Sequence, residues 1–370
     1  MNKLVIIGNG FDLRLNLKSS FDDFFRTDQL SKVEHWLSNP NDLTSIKKVN
    51  YISILLYYTS IYALKNPRIS QGFQAAFQDL FKFTTIYDWK DVEGFIEKIL
   101  NNSTVKYAVD TYNMLVNHVL MDKNYFLIPG DCLLYYINEI IPVRGYKEMD
   151  YYNFVFQELQ LFEKDFVDYL FNEVSHKDTF YSTHRPELMR SIIQPYNSNI
   201  VILNFNYTSL GSLDFPEINI HGKLVDKNII IGIDFKENRN LNVLPFTKTY
   251  RKLLSTKDSI VLDKQFDEIV IYGHSLGKQD YSYFQSIFDY VNLYSGKTVV
   301  KYIYSDYYLS DTLEKENLKK EKANQLFTLI EEYGNTLDNK DNGKNLLHKL
   351  LLEGRIKLEL NNYDDVFADA

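Results

Sequence analysis

In Leu4-Val5-Ile6-Ile7-Gly8-Asn9-Gly10-Phe11-Asp12-Leu13 the first four residues are a wholly apolar run that stops in a Gly-X-Gly turn. A short run of this kind suits a strand buried on both faces, as inside a parallel sheet. Glycines at alternate positions allow a tight turn and close backbone approach, with amides at a following helix start able to hold an anion. The third glycine of the dinucleotide fingerprint is absent, since position 13 is Leu13, and no acidic residue closes a second strand at the expected distance. An ordinary Rossmann dehydrogenase is therefore excluded. Two uses of the turn stay open: a phosphate cradle formed by Gly8, Asn9, Gly10, Phe11 and Asp12, or a plain strand-to-helix connection.

Four later runs, 200–204, 229–233, 268–272 and 299–304, share the buried-strand pattern, and Ile218-Asn219-Ile220-His221-Gly222 reads as a short strand ending in a turn. The stretch between the first and second runs is different. Val92, Phe95, Ile96, Ile99 and Leu100 recur at offsets of three and four, as do Val155, Leu159, Phe162, Phe166 and Leu170, so each set predicts a helix face. Segments 51–64 and 110–119 also read as helical. The expected fold is α/β: a Rossmann-like, mostly parallel sheet domain from residues 1–32 and 196–370, with a large helical insertion, 33–195, after the first strand. The first strand must then pair with strands from the second half, bringing residues 8–12 near 204–280. Stretch 334–344, rich in Asn, Asp, Lys and Gly, reads as a linker before a helix at 345–352 and a last strand at 355–360.

A net charge of −8 argues against nucleic acid or an anionic membrane as the main partner. Cys132 is the only cysteine, which rules out an intrachain disulfide or a cysteine-based metal cluster. The apolar start is too short for a signal peptide and 51–64 too short to span a bilayer, so cytoplasmic residence is the default expectation. With 29 Tyr and 25 Phe, rings must fill much of the interior. His35, His118, His176 and His184 lie scattered without metal-ligand spacing, and no metal is expected. Asp88, Asp91 and Glu93 beside Trp89 are acidic residues at a helix start, a placement the helix dipole favours without any function.

Three further motifs could carry chemistry. Leu203-Asn204-Phe205-Asn206-Tyr207-Thr208 follows a buried strand and places two asparagines at alternate positions, where their amides can hold a ribose hydroxyl or satisfy an Asx-type turn. His221-Gly222 puts an imidazole at a strand end, a placement suited to a general base. Gly273-His274-Ser275-Leu276-Gly277, followed by Asp280, has the form of a nucleophile elbow, which demands an acid and then a histidine further on. Only His348 follows, inside a helical pattern, so a serine hydrolase built on Ser275 is a weak alternative and a nucleotide-contacting loop an equal use of the turn.

Together these blocks, with Ser20-Phe21-Asp22-Asp23-Phe24 and Trp89-Lys90-Asp91-Val92-Glu93, resemble the AbiH family of phage abortive-infection proteins, in the family's order and over almost the whole chain. AbiH proteins in turn look distantly like sirtuin-type NAD-binding domains. That resemblance implies NAD or a related nucleotide as ligand or substrate. Asn206 takes the place of the asparagine at the nicotinamide ribose and His221 that of the general base. Gly273 and Ser275 take that of the late dinucleotide loop. Asn204 stands where those domains carry threonine and Thr208 where they carry aspartate, and the zinc-binding cysteines are missing. The function implied is a phage-defence effector that hydrolyses the N-glycosidic bond of NAD. The alternative is a non-catalytic nucleotide sensor acting through a partner. Expected partners are a nucleotide and a phage-derived trigger, with self-association left open.

Overall fold

A computed structural model describes residues 1–39, 42–57, 92–100, 140, 143–145, 150–194, 199–210, 215–234, 240–255, 262 and 265–361. The sequence-predicted helix at 110–119, the part of 51–64 after Tyr57, Cys132, His118 and the acidic residues Asp88 and Asp91 lie outside them.

Six strands, β1 (Asn2–Ile7), β2 (Asn199–Asn204), β3 (Glu217–Asn219), β4 (Glu268–Tyr272), β5 (Val299–Tyr304) and β6 (Ile356–Leu360), form one sheet. Every pairing is parallel and the order is β3-β2-β1-β4-β5-β6. This is the strand order of doubly wound nucleotide-binding sheets, with its reversal point between β1 and β4. β1 lies in the middle of this order and, as the sequence predicts, pairs with strands from the second half of the chain.

The unbroken apolar run of β1 follows from that central place. Leu4 and Ile6 join a core with Leu203, Ile271, Phe284 and Ile330, while Val5 and Ile7 join another with Phe11, Leu188, Met189 and Ile202. Helices Tyr281–Tyr290, Thr312–Thr336 and Leu346–Leu352 supply the first core, and Gly10–Arg14 and Asp178–Ile192 the second.

The chain divides into two compact units. One is Met1–Leu17, Glu173–Ile229 and Lys252–Ala370, which carries the sheet; the other is Lys18–Asn172 with Ile230–Arg251. The Asp178–Ile192 helix thus goes with the sheet rather than with the expected 33–195 insertion, because Tyr181, Leu188, Met189 and Ile192 enter the core beside Val5 and Ile7. In the second unit rings fill the interior as composition requires: Phe24 lies 5.4 Å from Phe162 and 5.0 Å from Phe166 between centroids. No described helix is long and apolar enough to cross a membrane.

Two expectations are corrected. Segment 229–233 is buried but is not a strand. The Ile231 amide donates to the Glu163 carboxylate (2.7 Å) and the Gly232 amide to Glu93 (3.4 Å), and only an isolated bridge joins Ile233 to Thr247. Nor is 334–344 a linker. Helix Thr312–Thr336 runs through Gly334, and a short helix, Lys340–Lys344, returns against it. A Cβ on Gly343 would lie 2.1 Å from the Gly334 carbonyl oxygen, so the glycines are there for a close helix crossing.

Candidate functional site

At the carboxyl edge of the sheet the turns after β1 and β4 are seated on one another. Gly8 N–H donates to the Tyr272 carbonyl (3.0 Å), Gly10 N–H to the Gly273 carbonyl (2.7 Å) and Phe11 N–H to the Gly8 carbonyl (2.9 Å). A Cβ on Gly8 would lie 2.5 Å from His274 Cα, and one on Gly10 2.7 Å from Gly273 Cα. Gly273 itself has φ +68°. These glycines therefore serve loop-on-loop packing, and a phosphate at this turn needs donors other than the Gly8 and Gly10 amides. Phe11 is core, edge-on to Tyr272 at 6.2 Å, and Asn9 is half-buried. Gly273→Ala is expected to lower stability by at least ~1–3 kcal/mol, the usual cost of a left-handed non-glycine residue, before the clash with Phe11 N is counted. A urea midpoint equal to that of the unaltered chain would contradict it.

Asp12 is not a surface anion. It is buried, and its carboxylate accepts from Tyr181 Oη (2.6 Å) and Thr208 Oγ1 (2.6 Å), tying the turn after β1 to the Asp178–Ile192 helix and to the turn after β2. Burial pushes its pKa from the usual 3.8 up to about 6, against the opposing pull of the Thr208 and Tyr181 hydrogen bonds and the Arg185 charge. A native carboxyl titrating above its unfolded value holds a proton the unfolded chain has released. Stability from this group is therefore full below pH ~4 and lost as pH rises through ~6. Asp12→Asn should lack that fall, so the difference between the two proteins should change by up to about 3 kcal/mol across the window. Urea unfolding at pH 4, 5, 6 and 7 reads it; parallel curves would refute the assignment.

The asparagines divide. Asn204 makes an Asx-type turn: its Oδ1 accepts from the Asn206 amide (2.9 Å), and its Nδ2 donates to the Thr208 carbonyl and to Glu217 Oε1 (both 2.7 Å). Alternation ends with the strand, so Asn206 does not repeat this environment. Asn206 is 3% exposed, and neither its Oδ1 nor its Nδ2 finds a hydrogen-bond partner among the described residues.

His221 is buried, with the rings of Phe205, Tyr283 and Tyr207 at 5.3, 6.1 and 6.4 Å. Its Nε2 lies 3.3 Å from Asp280 Oδ1, close enough for charge pairing when the imidazole is protonated. His274 reaches the same carboxylate. Its Nδ1 accepts from the Leu276 amide (2.9 Å), which leaves the proton on Nε2, 3.4 Å from Asp280 Oδ2. Asp280 and His274 are absent from the residues the sequence singles out for roles, although both sit in or just after the Gly-X-Ser loop. The signal available was an acidic residue at the entry to a helix beside the sheet's carboxyl edge. Two imidazoles on one carboxylate, in a shell of rings, can hold and move a proton away from bulk water.

Ser275 is exposed, and the left-handed backbone of its loop falls on Gly273 and Leu276 (φ +54°) rather than on the serine. His348 is exposed on the Leu346–Leu352 helix. Glu93, the described member of the acidic cluster, pairs with Lys248 at 2.7 Å. No group of three or more His, Cys, Asp or Glu residues among those described could hold a metal ion.

No curated protein and no solved structure matches the chain. The family model described as Bacteriophage abortive infection AbiH matches residues 4–302, from β1 into β5. The chain belongs to the AbiH family of bacteriophage abortive-infection proteins.

Proposed function

We propose that this AbiH-family chain binds NAD or a related nucleotide at the carboxyl edge of its sheet and hydrolyses the N-glycosidic bond during phage defence. The observation that carries this is Asn206, a buried carboxamide with neither polar atom partnered among the described residues, in the turn that also brings Phe205 against His221. An unmet buried amide costs about 1–3 kcal/mol per group, a cost a hydroxyl-bearing ligand relieves. The likeness of the Asn206 and His221 blocks to those of sirtuin-type domains supports the same roles.

In the proposed reaction Asn206 fixes the ribose. His221, with its Nε2 3.3 Å from Asp280 Oδ1, acts as the base and takes a proton from water. The water oxygen bonds to C1′ as the C1′–N bond breaks, and the bonding pair leaves with nicotinamide, which departs neutral. Asp280 stabilises the imidazolium until its proton is released. Positioning and a base supply the catalysis, since the pyridinium is already a good leaving group.

The test is nicotinamide release from NAD by the purified chain, alone and with extract of phage-infected cells. Release is expected from the unaltered chain and not from Asn206→Ala or His221→Ala. Nucleotide recovered intact, with both variants still protective in cells, would replace catalysis by a sensor acting through a partner.

A further inference from the structure

Asn219 repeats the anomaly of Asn206. It is 2% exposed, and neither its Oδ1 nor its Nδ2 has a hydrogen-bond partner among the described residues. Its backbone is engaged, with the carbonyl accepting from Lys252 Nζ at 3.1 Å, so the omission is confined to the carboxamide. Position follows from the ladder. Asn219 ends β3 directly beside Asn204 at the end of β2, and the Asn204 side chain accepts from the Asn206 amide. Both unpartnered residues thus flank Asn204 at the carboxyl edge, where open parallel sheets take ligands.

The two carboxamides select the ligand by chemistry. Each presents one carbonyl acceptor and one NH₂ donor. A phosphate, which only accepts, would answer the NH₂ groups and set its lone pairs against both carbonyl oxygens. A cation would answer only the carbonyls. A neutral group carrying donors and acceptors side by side answers both.

We infer that Asn219 is a binding residue which, with Asn206, holds a neutral donor-and-acceptor edge of the ligand: a carboxamide or nucleobase edge, or a ribose diol. The inference rests on the nucleotide reading proposed above and adds a residue and a ligand moiety to it. It also explains how a site whose Gly8 and Gly10 amides are engaged elsewhere recognises a nucleotide, through its neutral parts rather than its phosphates.

The experiment is thermal melting and calorimetric titration of the full chain with adenosine, nicotinamide, ribose and inorganic pyrophosphate, repeated on Asn219→Leu and Asn219→Ala. At least one of the three neutral probes should raise the melting temperature of the unaltered chain. Nicotinamide or adenosine without ribose marks the planar edge; ribose marks the diol. Without ligand, Asn219→Leu should melt at or above the unaltered chain, because it removes an unmet polar group, and should bind the effective probe about tenfold or more weakly. Asn219→Ala, which cannot clash, should show the same loss of binding. Variants that melt lower yet bind as tightly would overturn the role of Asn219 and leave the nucleotide reading standing. A chain stabilised by pyrophosphate alone, or by none of the four, would overturn that reading and this inference together.

Discussion

Nicotinamide release by the His221→Ala chain is expected to fall by about 10²- to 10⁴-fold, the usual worth of a positioned general base. The expectation comes from how His221 is held. The imidazole is buried edge-on to Phe205, with its Nε2 3.3 Å from Asp280 Oδ1, so the ring is held within charge-pairing reach of a carboxylate. Asp280→Asn should produce a smaller fall, because it removes charge from the pair and keeps the ring. His221→Gln should lose activity as His221→Ala does, while keeping more of the packing against Phe205. Melting curves on all three variants separate lost chemistry from lost structure. Unchanged release by a folded His221→Ala would remove His221 from the mechanism.

The largest expected effect on stability lies at the opposite edge of the sheet. Lys3→Met should cost about 3–5 kcal/mol, the range for breaking a buried charge pair. Lys3 is fully buried; its Nζ donates to the carbonyls of Ile193 (3.2 Å) and Gln194 (2.6 Å) and lies 2.9 Å from Glu268 Oε2 in charge contact. Glu268, the register neighbour of Lys3, also meets Lys301 at 2.5 Å. Burial works against ionisation of Glu268, but its bonds to Lys301 and Lys3 outweigh burial and hold its carboxyl below the usual range. That contribution is present above the unfolded pKa and is lost as pH falls through the folded one. Lys3→Met with Glu268→Leu should recover part of the loss, since the carboxylate is removed with the ammonium and only the partly exposed Lys301 loses its partner. Urea unfolding of both variants decides it; a single variant within ~1 kcal/mol of the unaltered chain would show the pair to be incidental.

The sheet was legible because strands covered on both faces carry apolar runs: 4–7 in β1, 200–203 in β2 and 269–272 in β4 are unbroken, and β5 is interrupted only by Lys301. The same signal misled at 229–233, since an apolar run reports burial and not where its amides go; here Ile231 and Gly232 donate to carboxylates far away in sequence. Glycine spacing was equally ambiguous. Gly334 and Gly343 read as linker residues but serve a helix crossing, and Gly8 and Gly10 suit either a phosphate or a second loop. Lys3 escaped notice because it precedes the apolar run, although it is as buried as Leu4. Of the site, Asn206 and His221 stood out by residue type. Asp280 and His274 did not, because what marks Asp280 is its contact with His221, which lies 59 residues earlier in the chain. Nothing in the order of residues distinguishes Asn204, which closes its own turn, from Asn206 and Asn219, which do not.

The most direct test is a crystal structure of the full chain with NAD or ADP-ribose bound. The proposed site places the ligand at the carboxyl ends of β2 and β3, with a neutral moiety hydrogen-bonded to Asn206 and reacting C1′ within reach of His221. Ligand seated elsewhere, with Asn206 still unpartnered and His221 remote from it, would contradict the proposal.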